Sequence, residues 1–254
     1  MTNEEKIALF EKEIAYINTD GVKDFFKTAI TLVPDYFFEV PAASSGKFHS
    51  VLECSFGGLV YHTRSVAKVA NYLVNLQQYK SKLSEIERDC VICAALLHDC
   101  LKHDWENKTG FSVHQHPVLA AEFIKSDDRL SGIVSEEIRT MIGDAAASHS
   151  GEWTTSTRSK IVLPSPQTLV QELVHLSDYI ASRSDIHILF DGEDNKPKLP
   201  NLAEYTLNFG KHKGLTIPEI AVIDRGWLVW AQENLAREPL KTLIKMYFDE
   251  EDEI

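Results

Sequence analysis

The chain of 254 residues is 44% hydrophobic, enough to build one large core, and this excludes wholesale disorder. Its formal net charge of −12 excludes a nucleic-acid coat that binds through blanket positive charge, while leaving room for a local basic patch. Glu4 and Glu5 stand where a signal peptide needs a basic start, and no apolar run approaches the ~18–20 residues of a membrane span, so a cytoplasmic protein with no membrane partner is expected.

Residues 3–34 read as two amphipathic helices broken near Thr19-Asp20-Gly21, after which Pro34 and Pro41 punctuate a loop running to Gly46. Gly57-Gly58 opens the next helix, where Val66, Val69, Ala70 and Leu73 recur at helical spacing and His62 shares their face. A helix over 85–98 ends at the doublet His98-Asp99. Cys90-x-x-Cys93 lies inside that helix with no second pair, so Cys54, Cys90, Cys93 and Cys100 read as buried apolar thiols. Residues 103–115 form a polar loop in which His103 and His114 read as solvated. Pro117 suits a first turn, which puts His116 at the cap of a helix over 117–126.

A helix over about 135–148 leads Ile138, Ile142 and Ala145-Ala146 toward His149, and a second polar loop runs from Gly151 to Ser159. The helix over 167–184 carries Val170, Val174 and Asp178 at four-residue steps. An acid in line with two valines calls for a metal or for a salt bridge such as one to Arg183, because an unpaired buried carboxylate is costly. His175 and His187 read as structural. Composition changes after Ile188, where acidic residues, Pro197 and Pro200 mark a linker. The predicted organisation is an N-terminal helical segment over 1–45, a main helical domain over 46–190, a linker over 191–202 and a small module over 203–254. That module is read as a short hairpin followed by one or two helices, with Asp249 to Glu253 as a solvated acidic end. The fold class is thus mostly α, a helical bundle with a small α+β appendage at the C-terminus.

The chemistry concentrates in His62, His98-Asp99, His116, His149 and Asp178, each at the edge of an apolar helical stretch. Imidazoles with carboxylates suit Mn first, and Fe, Co, Ni or Zn, with Mg less at home. The set would hold one or two divalent ions; with two, Asp99 is placed to bridge them, with His98, His62 and Asp178 completing one site and His116 and His149 holding the second. Two ions about 3.5–4 Å apart bind a phosphoryl oxygen and activate water for attack. Lys102 follows Asp99 by three residues, so its ammonium either returns over the site as a catalytic cation or faces solvent. His49 either contacts substrate or packs its loop.

This ordered set, H…HD…H…H…D, resembles the HD superfamily of metal-dependent phosphohydrolases, and Leu96-Leu97-His98-Asp99-Cys100-Leu101-Lys102 is similar to that family's LLHDxxK segment. Phe38-Glu39-Val40-Pro41-Ala42-Ala43, His49 and Gly57-Gly58-Leu59-Val60-Tyr61-His62-Thr63 resemble the HD domain of YhaM-type 3′–5′ exoribonucleases, over about residues 35–185. Those enzymes carry an N-terminal oligonucleotide-binding barrel, whereas the residues before Pro41 read here as helical. Nucleic-acid specificity is therefore not inherited with the resemblance. Phe209-Gly210-Lys211-His212-Lys213-Gly214, with Trp227-Leu228-Val229-Trp230 after it, resembles the small FGKxKG module of some proofreading-type DNA exonucleases, with Trp227 where a tyrosine is usual. Such a turn would offer Lys211 and Lys213 to a phosphate backbone, with the tryptophans stacking bases or filling a minor core.

The resulting expectation is a phosphohydrolase that cleaves phosphodiester bonds with metal-activated water, acting as a 3′–5′ exonuclease on single-stranded nucleic acid. The alternatives are a phosphohydrolase of free nucleotides, such as deoxynucleoside triphosphates or cyclic nucleotides, a di-iron oxygenase, and a non-catalytic binding module.

Overall fold

The computed structural model describes residues 1–43, 46–107, 110–193 and 195–252. The predicted boundary at residue 45, Asp194 of the predicted linker and the last residues of the acidic tail lie outside them. The chain opens with α1 (Asn3–Ala8), α2 (Glu11–Ile14) and α3 (Asp20–Leu32). The first predicted helix is therefore two short ones, and the break before α3 is sealed from outside. Asp89 accepts hydrogen bonds from the backbone N–H groups of Asn18 (3.0 Å) and Thr19 (2.7 Å), serving as a cap supplied by another helix.

The body of the fold comprises α4 (Gly58–Asn75), the short α5 (Gln77–Lys80), α6 (Glu85–Leu97), α7 (His116–Ser126), α8 (Glu136–Ala147) and α9 (Leu169–Ala181). Two of these helices begin where a capping box dictates: Ser84 with Glu87, and Thr168 with Gln171. Helix α6 runs through the middle, with every residue from Asp89 to Leu97 buried. It packs against α3, α4, α8 and α9, while α7 lies along α8. A helix apolar all round is what a central position demands. The four cysteines are free and buried, and burial pushes the Cys54 and Cys90 thiols up to about 12, as inert apolar side chains.

A second, smaller core gathers Leu207, Ile217, Ile220, Leu228, Ala231, Leu240, Leu243 and Ile244 around α10 (Ile217–Asn234) and α11 (Leu240–Asp252). Glu238 ties it to the body by donating its backbone N–H to the carbonyl of Gly46 at 2.8 Å. The expected α+β character does not appear: among the described residues there is no strand, and the hairpin reduces to one bridge between Thr206 and Thr216. Thr216 caps α10 in a capping box with Glu219, so the chain turns into a helix where a second strand would have to continue. Trp230 is 49% exposed rather than core, whereas Trp227 packs against the second cluster. No helix among the described residues is long and apolar enough to cross a membrane.

Candidate metal centre

Five helices each bring part of the site. His62 stands on the second turn of α4, His98 caps the end of α6 with Asp99 next, His116 opens α7, His149 lies just past α8, and Asp178 sits in the last turn of α9. His116 is the first helical residue rather than the cap, which is Gln115. Helix α6 packs against α4, α8 and α9, and the six side chains come together where α6 ends.

The backbone selects the tautomer of three imidazoles. His98 Nδ1 donates to the Ala95 carbonyl at 2.7 Å, His116 Nδ1 to Val113 at 2.7 Å, and His149 Nδ1 to Ala146 at 2.8 Å. With Nδ1 so engaged, Nε2 is the atom each ring would offer to a cation. These nitrogens converge on the two carboxylates. Asp99 Oδ1 lies 2.9 Å from His116 Nε2 and 3.7 Å from His149 Nε2. Its other oxygen lies 3.3 Å from His98 Nε2 and 3.8 Å from His62 Nε2. Asp178 Oδ1 lies 3.1 Å from His62 Nε2 and 3.8 Å from His98 Nε2. One carboxylate thus faces two pairs of imidazoles, one with each oxygen.

The donors fit a divalent cation. Both nitrogens of His62, Nε2 of His98 and Oδ1 of Asp99 are buried without a hydrogen-bond partner, a costly state that a bound ion would relieve at the two Nε2 atoms and at Oδ1. Burial pushes the Asp99 carboxyl up, but the Lys102 charge and the neighbouring histidines outweigh it and hold the group well below the usual range. For Asp178 burial is likewise outweighed, first by the His62 imidazole 3.1 Å away and then by the charge of His98. Burial, reinforced by the charge of His98, pulls His149 down to about 3, so that its ring is neutral at pH 7. In His62 burial is overcome by Glu53 and then Asp178, which lift it to about 9; a cation between the carboxylates would compete with that proton.

Glu53 is the functional residue that the sequence did not single out. It lies buried in a short 3₁₀ turn, 2.9 Å from His49 Nδ1 and 3.6 Å from His62 Nδ1, with its charge set against the back of the His62 ring. The signal was available, since Val51-Leu52-Glu53-Cys54 buries an acid among apolar neighbours, as Val170-to-Asp178 does. Gly58 makes the arrangement possible: a Cβ there would come within 2.1 Å of the Glu53 carbonyl oxygen, so only glycine lets α4 start against this turn.

Lys102 returns over the site, with its Nζ bonded to Asp99 Oδ2. It lines a cavity of about 370 Å³ together with His49, His116, His149 and Asp178, and here His116 and Asp178 keep 15% and 21% of their side chains exposed. Arg183 does not pair with Asp178 but lies over the Tyr179 ring, 4.2 Å from its centroid. His103 is buried rather than solvated, stacked on Tyr36 at 5.3 Å, and His114 is half-buried against the Ile161 carbonyl at 3.1 Å. Lys211 and Lys213 stand in the second core's turn, away from the residues lining this cavity, and Lys211 is paired with Asp224 at 2.6 Å.

Residues 59–183 match the family of the HD domain, a span that contains all six convergent side chains. No curated protein and no solved structure matches the chain. The match and the buried His/Asp cluster together support a metal-dependent phosphohydrolase.

Proposed function

We propose that the HD domain of this protein cleaves phosphodiester bonds, acting at the 3′ end of single-stranded nucleic acid, with manganese as the preferred metal. The observation that supports this reading is the arrangement of Asp99, which presents one oxygen to His116 and His149 and the other to His98 and His62. His62, His98, Asp99 and Asp178 would hold one ion, and Asp99, His116 and His149 the second. Bound there, divalent ions would polarise a phosphoryl group and acidify water.

The chain's own groups supply the rest. Asp99 and Asp178, held ionised against their burial, offer charged oxygens to a cation. Lys102 is the cation on the cavity side; its three donors are placed to take a phosphoryl oxygen and offset developing charge. His49, braced by Glu53, lines the same cavity and would shield the centre from bulk water. The exposed Lys213, in the turn that resembles the FGKxKG module, favours a polymer end as substrate. One observation favours the second reading, a free nucleotide: the Lys211 ammonium is engaged by Asp224 and is not free to meet a polymer backbone.

The reading is tested by incubating metal-loaded protein with labelled single-stranded RNA, single-stranded DNA and a nucleotide panel, then identifying products. Stepwise release of mononucleotides from a 3′ end is expected. Hydrolysis confined to free nucleotides would put the second reading first, and turnover of no phosphate ester with any divalent metal would discard both.

A further inference from the structure

The cavity over the metal ligands has a second side on which hydrolysis makes no demand. Trp153 and Tyr179 face each other there with ring planes 5° apart and centroids 5.6 Å apart, and the Arg183 guanidinium covers Tyr179 at 4.2 Å. These rings are open: Trp153 is 54% and Tyr179 37% exposed. A tryptophan left half in water inside a concave pocket is a binding feature more than a packing one.

The wall is built rigidly and close to the chemistry. Tyr179 follows Asp178 directly, and Trp153 follows His149 by four residues, so metal ligands and rings share two supports. His175, one turn before Tyr179 on α9, donates from Nδ1 to the His149 carbonyl at 2.8 Å and fastens the loop. Gly151 adopts φ +63°, and a Cβ there would come within 2.1 Å of the His175 ring, so glycine is what lets the chain double back over α9. The backbone N–H of Trp153 then donates to the Ser150 carbonyl at 3.2 Å, and Arg183 is held by its Nε donating to the Tyr179 carbonyl at 3.0 Å.

We propose that this wall is a nucleobase seat: the cavity takes one nucleotide unit, with its phosphate at Lys102 and His116 and its base stacked on the Trp153–Tyr179 platform beside Arg183. The inference rests on the phosphohydrolase reading of the same site and adds the part of the substrate that the metal centre does not recognise. Parallel rings select a flat π-system of any sequence, and an adjacent guanidinium supplies both cation–π attraction and donors to base edges. A volume of about 370 Å³ is at the small-ligand end of the pocket range, in keeping with one terminal nucleotide rather than a duplex.

The test is equilibrium titration of the metal-loaded protein with adenosine 5′-monophosphate and with ribose 5-phosphate, which share a phosphate and a sugar but differ in the base. Wild type should favour the nucleotide by about five- to a hundredfold, the range that base–aromatic stacking supplies. Trp153→Ala should bring the two affinities together while leaving ribose 5-phosphate binding unchanged, and Trp153→Phe should restore most of the preference. Equal affinity for both ligands in wild type, or a preference that survives in Trp153→Ala, would overturn the seat. Hydrolysis assayed in parallel separates the two claims. A base preference without hydrolysis keeps the seat and removes the phosphohydrolase reading, whereas hydrolysis without base preference does the reverse.

Discussion

At the scale of single residues, the centre is organised by what lies behind its ligands. Backbone carbonyls of Ala95, Val113 and Ala146 fix three rings by hydrogen bonds, while behind His62 the Glu53 carboxylate sets its charge 3.6 Å from Nδ1. Such outer partners raise ligand basicity and hold ring orientation, and losing one typically weakens metal affinity about 10–100-fold. Glu53→Gln keeps the size of the side chain and removes its charge. It should weaken Mn²⁺ binding by about that factor, measured by competition with a chromogenic chelator, while circular dichroism stays the same. Unaltered affinity would show that Glu53 serves only the packing of its own turn. The six converging residues were legible in the sequence because each breaks a rule of apolar periodicity at a helix edge. Glu53 breaks the same rule in a turn that lacks a period, and Trp153 lies in a polar loop whose path depends on the distant His175.

At the scale of elements, helix bounds were readable wherever local chemistry sets them. Ser84 and Thr168 start α6 and α9 through capping boxes, and Gly58 and Pro117 mark the first turns of α4 and α7. The departures have tertiary causes. The break between Ala15 and Thr19 depends on Asp89 from α6, and the lost hairpin depends on Thr216 committing the chain to α10. The meeting of α4 with the Val51–Glu53 turn is the element contact on which the site leans most. Gly58→Ala forces a methyl against the Glu53 backbone, an overpacking expected to cost about 1–3 kcal/mol. Urea melts should show that loss as a lower midpoint at unchanged slope, and Mn²⁺ affinity should fall with it because Glu53 is displaced from His62. A variant as stable as wild type with full metal affinity would mean that the turn moves freely and does not brace the site.

At the scale of the whole molecule, the proposed substrate would be a polyanion meeting an acidic chain of net charge −12. Lys102 and any cation held there would answer at the centre, and the turn of the second core offers Lys211 and Lys213. Asp224 already neutralises one of these, so their joint contribution should be modest: Lys211→Ala/Lys213→Ala is expected to raise KM for an oligonucleotide a few-fold, less so at high salt, and to spare bis-p-nitrophenyl phosphate. Equal behaviour of variant and wild type on oligonucleotides across a salt series would detach the second core from substrate binding. The central claim, hydrolysis at a metal centre built on Asp99, is tested most directly by one titration. Protein stripped with a chelator is given Mn²⁺ in steps while cleavage of a labelled single-stranded oligonucleotide is followed, with Asp99→Asn treated identically. The account predicts no cleavage in stripped protein, recovery that saturates with added metal, and none at any concentration in Asp99→Asn. Cleavage that survives stripping, or that Asp99→Asn performs as well as wild type, would contradict it.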